Sequence, residues 1–234
     1  MVAYASARPR RTSTMTIEFG NLDANRSFLN GTGLLRSGIT ILEIGSGRGT
    51  LLHQLRAEGF DVIGVETSAS RIEESRQLYG PLPIEQISGT TLPFHDAQFD
   101  LVVSFDVLEH IADTDQHLAE VVRVLKPGGS YLLQTPNKWT NSVFETLRWR
   151  SFSRWRVDHC SLHTYRQLQR RLSRFGFHVT FADVKVVTPF FREKVKRYLG
   201  LSGLALLAVV NPDSLPLPAR TNFYVRARKP EIGV

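Results

Sequence analysis

The sequence predicts an α/β fold, in which helices cover both faces of a doubly wound, mostly parallel sheet. Two observations predict it. Short apolar runs alternate with segments of helical periodicity between residues 39 and 136. The candidate binding and catalytic residues cluster at the carboxyl ends of the runs, at 43–49, 66, 88–89 and 104–110. Ligands of parallel α/β sheets bind at those ends, so one site is expected there.

The composition is that of one globular domain with appendages. A chain of 234 residues is long enough to bury a sizeable core. The single cysteine, Cys160, excludes an intrachain disulfide and fits a reducing cytoplasm. Residues 1–16 contain arginines but lack the apolar stretch of a secretory signal, so a disordered lead is expected.

Charge is unevenly distributed along the chain. Residues 1–136 hold 11 Lys/Arg and 16 Asp/Glu, a balance of −5. Residues 137–234 hold 18 and 6, a balance of +12. This asymmetry indicates either an anionic partner for the second half or solvated basic helix faces.

The first strand is predicted over residues 39–44 and is joined to a helix over 48–58 by a glycine-rich turn. Gly45, Gly47 and Gly49 alternate in that turn, and glycine permits the positive φ angles and close ligand approach that such turns need. The spacing differs from the G-x-G-x-x-G of dinucleotide sites. Glu43 would repel a phosphate and attract an amino group. A turn without a ligand is the alternative.

The second strand, residues 61–66, ends in Glu66, about 20 residues after the glycine turn, where α/β cofactor sites place a ribose-binding carboxylate. A helix capped at Thr67-Ser68 follows, up to Tyr79. Later elements are a strand over 84–88, a buried strand over 99–104, an amphipathic helix over 113–125 and a strand over 130–135.

Five motifs and one acidic residue, taken together, resemble class I S-adenosylmethionine-dependent methyltransferases. Within that family, the motifs are most similar to those of the ubiquinone-methyltransferase-like branch. The resemblance is close over residues 39–136 and looser to 228. In chain order they are Glu-Ile-Gly-Ser-Gly-Arg-Gly (43–49), Glu66, Leu-Pro-Phe (92–94), Phe-Asp-Leu-Val-Val (99–103), Val-Leu-Glu-His (107–110) and Leu-Lys-Pro-Gly-Gly (125–129).

The resemblance implies the class I methyltransferase fold, with seven strands and an antiparallel edge strand, and S-adenosylmethionine as cofactor. The backbone from Gly45 through Ser46, Gly47 and Gly49 would cradle the methionine part of the cofactor, with Glu43 near its amino group. Glu66, followed by Thr67, would hold the ribose.

The resemblance also implies which residues lie beside the adenine and the sulfonium of the cofactor. Ser88 and Gly89 would flank the adenine. Many relatives have Asp in place of Ser88, so the adenine contact is weaker here or falls to the backbone. Ser104 and Asp106 would lie beside the sulfonium end.

Two histidines are candidate general bases for a hydroxyl acceptor. His110 is placed by its motif, with a structural role inside its loop as the alternative. His163 resembles a histidine that family members carry just before a helix. Asp106, Glu109 and His110 could share a helical face and resemble a metal-associated group of the ubiquinone enzymes. Such groups more often cap a helix at the protein surface than bind a metal, so no metal is predicted.

The predicted organisation has four parts. The lead, 1–16, precedes a cofactor-binding core over 17–136. Residues 137–163 form a basic and aromatic lid or insertion. Residues 164–234 complete the fold with a helix from Thr164, a strand over 177–187 and a last, antiparallel strand over 222–228.

Residues 190–210 combine a basic start with an apolar run that is too short to span a bilayer. They could rest on a membrane or form a lipophilic acceptor pocket. A buried helix or a dimer face is the alternative. We therefore expect a cytoplasmic protein, in solution or in contact with a membrane. The sequence does not specify the oligomeric state.

The function predicted is methyl transfer from S-adenosylmethionine to oxygen or carbon of a small acceptor, either lipophilic or glycan-linked. The basic second half raises the alternative of an RNA or protein methyltransferase. A nucleic-acid substrate is disfavoured because no Asn/Asp-Pro-Pro-Tyr-like signature is present. A binding protein without turnover is a further alternative, since fold does not fix function.

Overall fold

The computed structural model describes residues 20–149 and 159–231, and it confirms the predicted α/β architecture. The predicted lead, Trp155 and the central arginines of the lid lie outside these residues. The strands are β1 (Thr40–Ile44), β2 (Asp61–Glu66), β3 (Ile84–Gln86), β4 (Phe99–Phe105), β5 (Leu125–Pro136), β6 (His178–Ala182) and β7 (Asn222–Arg228). The helices are α1 (Leu22–Gly31), α2 (Thr50–Ala57), α3 (Ala69–Tyr79), α4 (Thr114–Val124), α5 (Lys138–Trp149), α6 (Tyr165–Arg174) and α7 (Pro189–Val209).

Seven strands form one sheet in the order β3-β2-β1-β4-β5-β7-β6. The pairs from β3 to β5 are parallel. β7 is antiparallel to both of its neighbours, as predicted for the last strand, and it lies one place in from the edge that β6 forms. The carboxyl ends of β1, β2 and β4 therefore share one edge, where the site was expected.

The core has one apolar layer on each face of the sheet. Neighbouring residues of a strand point to opposite faces, so Leu42 packs in one layer and Ile41 in the other. α4 and α6 supply Leu118 and Leu168 to the first layer. α1 and α2 supply the second, where Leu52 is fully buried. A sheet buried on both faces explains the continuous apolar runs of its central strands.

Helix starts follow the capping chemistry of the sequence. Ser68 caps α3, Asp113 caps α4 and Thr164 caps α6. At α6 the side-chain oxygen of Gln167 also accepts from the N–H of Thr164, which completes a capping box. α2 has no side-chain cap: Gly49 precedes its first residue, Thr50, with a φ of 74° that belongs to the glycine turn. The caps fix where each helix leaves its loop, and hence the geometry of the edge.

Three strands differ from their predicted ranges by more than one residue, and one of them is β3, which ends at Gln86 and not at residue 88. β5 begins at Leu125, because Leu125 pairs with Phe99 before a register shift and the regular ladder with β4. β6 stops at Ala182, well before the predicted end at residue 187. The reason lies in Asp213, whose carboxylate accepts from the N–H groups of Val186 and Val187 at 2.8 and 3.1 Å.

Two helices outside the alternating pattern sit at the site edge of the sheet, and one residue connects them. Asn21 caps α1 and donates through its amide to the carbonyl of Val186 at 2.8 Å. Its side-chain oxygen accepts from the hydroxyl of Thr188, the residue that caps α7. α7 is broken at Gly200, where φ is 64° and ψ is −158°. α1 and the first half of α7 are thus held together.

Candidate functional site

A cavity of about 790 Å³ opens at the carboxyl ends of β1, β2 and β4. Its walls come from the glycine turn, from the loop after β4 and from α1, α5 and α7. Eight of the eleven residues predicted to bind a cofactor line it. These residues are Glu43, Gly45, Ser46, Gly47, Glu66, Thr67, Gly89 and Asp106, and His110 lines the cavity as well.

The three glycines of the turn serve different purposes. All three have positive φ: 73° at Gly45, 56° at Gly47 and 74° at Gly49. A Cβ on Gly45 would lie 2.4 Å from a methyl group of Val107, so this turn must pass close to the loop after β4. A Cβ on Gly47 would meet nothing within 4 Å, because Gly47 faces the open cavity. The turn therefore provides a backbone cradle with room for a ligand.

Glu43 is a buried carboxyl group at the base of the cavity. Burial raises its pKa to about 8, partly offset by a hydrogen bond from the backbone of Leu52. Within the part of the chain that the structure describes, Oε2 of Glu43 is buried without a hydrogen-bond partner. Such an oxygen is unfavourable unless a ligand donates to it. The α-amino group of the expected cofactor is a donor of this kind.

Glu66 is fixed by the backbone around it. Its Oε1 accepts from the N–H groups of Thr67 and Ser68, each at 2.9 Å. Its Oε2 accepts from the N–H of Gly47 at 2.8 Å and lies 4.0 Å from the guanidinium of Arg71. A carboxylate oxygen can accept two hydrogen bonds, so Oε2 retains capacity for a ribose hydroxyl. The glycine turn and the β2 end are thus joined through one carboxylate.

Three residues predicted to bind the cofactor do not line the cavity. Gly49 packs instead against α3 and β3, where a Cβ would lie 2.6 Å from the hydroxyl of Ser75. Ser104 is fully buried and its hydroxyl is 2.6 Å from that of Tyr131, so it serves the core. Ser88 is exposed, while Gly89 beside it contributes to the lining.

Asp106 enters the cavity from a strained position directly after β4. Its φ of 54° is unusual for a residue with a side chain. Its N–H donates to the side-chain oxygen of Gln134 at 2.8 Å, which holds this conformation. Burial raises the pKa of Asp106, while the positive charge of Lys194 acts in the opposite direction. Backbone strain of this type commonly marks residues held for function.

The far end of the cavity brings together two histidines and a buried acid. The rings of His110 and His159 lie 5.1 Å apart. Nδ1 of His159 is 3.1 Å from the side-chain amide nitrogen of Asn141. Glu109 is buried beneath them and accepts from the hydroxyl of Thr135 at 3.1 Å, and burial raises its pKa to about 8. A methyl acceptor bound at this end would lie near two imidazole groups that can accept a proton.

His163, the second predicted base, lies elsewhere. Its backbone forms a parallel bridge with Asn137, and its carbonyl accepts from the N–H of Lys138 at 3.0 Å. The imidazole is buried, and burial lowers its pKa to about 4. It is outside the cavity lining, whereas His159, four residues earlier, is part of it.

Glu109, His110 and His159 could hold a divalent cation. Each offers one ligand atom, and these atoms lie within 4.8 Å of one another. Carboxylate and imidazole groups suit several transition metals and do not select one of them. The group differs from the one considered in the sequence by containing His159 in place of Asp106.

The sequence analysis did not single out the residues that α1, α5 and α7 contribute to the walls, although an acceptor pocket was one expectation for residues 190–210. α1 supplies Asn25, which accepts from the buried hydroxyl of Tyr224 at 3.0 Å. α5 supplies Phe144, and α7 supplies Lys194, whose ammonium is 5.8 Å from the centre of the Phe144 ring. None of these residues belongs to a motif. The sequence feature that could have indicated such a wall is the helical spacing of aromatic and basic residues after β5.

Comparison with known proteins identifies the family. The model of the methyltransferase domain family matches residues 17–181. A probable S-adenosylmethionine-dependent methyltransferase from Mycolicibacterium smegmatis is 36% identical over 106 residues, covering 45% of this chain and 41% of the relative. A ubiquinone biosynthesis O-methyltransferase from Chelativorans sp. is 33% identical over 105 residues, with 43% and 42% covered. The matches thus span less than half the length of these curated relatives.

Solved structures share the fold at low sequence identity. A possible histamine N-methyltransferase from Thermotoga maritima superposes with a TM-score of 0.60 at 17% identity, over 92% of each chain. A phosphoethanolamine N-methyltransferase from Haemonchus contortus, solved with S-adenosyl-L-methionine, gives a TM-score of 0.61 at 22% identity, covering 89% of this chain and 53% of that one. The family match, the sheet order and the glycine cradle agree, and the chain belongs to the class I S-adenosylmethionine-dependent methyltransferases.

Proposed function

We propose that this chain transfers the methyl group of S-adenosylmethionine to an oxygen or carbon atom of a small-molecule acceptor. The observation that carries the proposal is the continuity of a single cavity. One end holds the glycine turn, Glu43 and Glu66, and the other holds His110 and His159. A methyl donor bound at the first end and an acceptor at the second would share this space.

The cofactor supplies an activated methyl group, so the protein has mainly to position the two reactants. The Gly47 backbone and Glu66 would hold the donor at one end, with Glu43 accepting from its amino group. Asp106 would lie between the two ends. For a hydroxyl acceptor, the imidazole of His110 or His159 would take the proton as the new bond forms.

Apolar side chains favour a lipophilic acceptor over a glycan-linked one. Phe144, Phe190 and Phe191 line the cavity, together with Val195. Rings and aliphatic groups in the cavity walls would bury an apolar acceptor and exclude water. Because a lipophilic acceptor resides in membranes, we also propose that residues 190–210 contact a membrane surface.

Calorimetric titration with S-adenosylmethionine and S-adenosylhomocysteine tests the cofactor part of the proposal. We expect saturable binding of both, and Glu66→Ala should weaken it by about 10- to 100-fold, because charged hydrogen bonds to the ribose are lost. Unchanged affinity in Glu66→Ala would contradict the ribose assignment. Binding without turnover of any acceptor would favour a non-catalytic role.

The acceptor part is tested with a panel of alkyl-substituted phenols and catechols, RNA and peptides, using labelled S-adenosylmethionine. His110→Gln and His159→Gln are expected to lower kcat for phenols on the order of 100-fold, because a general base is lost. His163→Gln is the comparison, with rates normalised to S-adenosylhomocysteine binding sites. A loss confined to His163→Gln would overturn the placement of the base.

A further inference from the structure

The second half of α7 is an exposed apolar helix. After the break at Gly200, Leu201 is 76% exposed, Leu206 59% and Val209 84%. Residues 198–212 contain no charged side chain. Gly203 and Leu207 are the buried positions of this half of the helix, Leu204 is half-buried, and the other residues from 201 to 209 are exposed.

α5 adds to the same surface. Trp139 is 67% exposed and Val143 62%, and their spacing of four residues places them on one helical face. The ring of Phe144 contacts that of Tyr198 on α7 with their centres 6.4 Å apart, so the two helices are neighbours. We call these exposed residues the apolar rim. It consists of Trp139, Val143, Tyr198, Leu201, Leu206, Val209 and Val210.

An exposed patch of this kind marks an interaction surface in soluble proteins. No helix among the described residues has the length and apolar character needed to cross a bilayer. The rim can therefore lie on an apolar partner but not span it. An amphipathic arrangement in the plane of an interface meets both conditions.

Basic side chains border the rim. Arg192, Lys196 and Arg197 are exposed on the first half of α7, and Glu193 is the acid among them. Cations next to apolar side chains suit a surface with anionic headgroups over an apolar interior. A second copy of this chain, related by a two-fold axis, would bring equivalent surfaces and their cations together. The charge pattern therefore favours lipid over self-association.

The rim adjoins the acceptor end of the cavity. Phe144 and Lys194 line the cavity from the same two helices that carry the rim. Thr140 and Asn141 of α5 also line it, between the exposed Trp139 and Val143 in sequence. One side of the helix pair thus faces the site, and the other is exposed.

We propose that the apolar rim and its bordering cations dock onto an anionic lipid bilayer, which places the acceptor end of the cavity next to the lipid. A lipophilic acceptor would then reach the histidines directly from the membrane. The docking stands independently of turnover, while the delivery of an acceptor rests on the proposed function. Trp139 would lie at the headgroup level, which tryptophan favours.

Flotation with vesicles tests the docking. The full chain is mixed with phosphatidylcholine vesicles or with vesicles containing phosphatidylglycerol, and the bound fraction is measured. Binding is expected with phosphatidylglycerol, and it should fall as salt is added. Ala208→Glu places a carboxylate in the rim and should lower the partition coefficient on the order of 10-fold. Ala119→Glu adds the same charge at an exposed position of α4 and should leave it within about twofold.

A second variant keeps the apolar helix intact. Arg192→Gln, Lys196→Gln and Arg197→Gln combined should reduce the preference for anionic vesicles by about 5-fold for each cation removed. S-adenosylhomocysteine binding by each variant establishes that it is folded. Absence of vesicle binding by the wild-type chain would overturn the proposal. A dimer in sedimentation that Ala208→Glu dissociates, without vesicle binding, would assign the rim to a second copy instead.

Discussion

Burial raises the pKa of Glu43 to about 8, so we expect its carboxyl group to be protonated at pH 7 in the cofactor-free protein. A cofactor ammonium beside the carboxyl group would favour the ionised form and lower that pKa. Binding at pH 7 should therefore release about one proton for each S-adenosylhomocysteine bound. The measurement is titration calorimetry in buffers of different ionisation enthalpy, where the apparent enthalpy then depends on the buffer.

Glu43→Gln is the control for this proton. The amide keeps the shape of the side chain but cannot ionise, so the dependence on the buffer should disappear. Affinity should also fall, since an uncharged oxygen binds an ammonium less strongly. Equal proton release by wild type and Glu43→Gln would assign the proton to another group and remove the support for an amino group at Glu43.

Individual residues were predictable where a sequence position fixes a place on the backbone. Glu43 and Glu66 end two adjacent parallel strands, so both had to appear at the same edge. His163 resembled a family position but is held by its bridge to Asn137. His159 could not be chosen from sequence, because its approach to His110 depends on how the chain returns between α5 and α6.

The glycine turn is an element whose positions respond differently to the same substitution. Alanine at either Gly45 or Gly47 requires a positive φ, which destabilises by about 1 kcal/mol. Gly45→Ala also forces a Cβ to within 2.4 Å of Val107, so its loss of stability should be at least about 1 kcal/mol larger. Denaturant unfolding of the two variants measures the difference.

A second substitution, at Val107, tests whether the contact with Val107 causes that difference in stability. Val107→Ala removes the methyl group that a Cβ at position 45 would meet. The double variant Gly45→Ala/Val107→Ala should therefore lose less stability than the sum of the single variants. Additive losses would mean that the close approach to the loop after β4 does not matter. Gly47→Ala should mainly reduce cofactor affinity, because its Cβ would enter the cavity.

Elements outside the alternating pattern were harder to place. The alternation of strands and helices predicts β1 to β5 because each pair packs locally. The position of α1 across the site depends on Asn21 binding the chain near Val186, 165 residues away in sequence. α7 likewise was visible as an apolar run, but its division at Gly200 and the exposure of its second half follow from tertiary packing.

For the whole molecule, buried titratable groups set the pH dependence of stability. Glu43 and Glu109 have folded pKa values of about 8 against an ordinary value of 4.5. Between about pH 4.5 and 8 they hold protons in the folded state that the unfolded state has lost. Their contribution to the free energy of unfolding therefore falls as pH rises, by up to about 1.4 kcal/mol per pH unit for each group.

Two buried histidines act on the acid side. Burial lowers the pKa of His117 and His163 to about 4 from 6.5, so the unfolded state binds more protons between these values and stability falls as pH decreases. Between pH 4.5 and 6.5 the contributions of the two glutamates and the two histidines oppose each other, so the free energy of unfolding of the cofactor-free protein should change little there and fall above pH 6.5. Chemical denaturation from pH 4.5 to 8.5 measures the profile. Glu43→Gln should reduce the slope above pH 6.5 and leave the histidine contribution in excess between pH 4.5 and 6.5, so that stability there rises with pH. An alkaline slope equal to that of the wild type would contradict the assignment to Glu43.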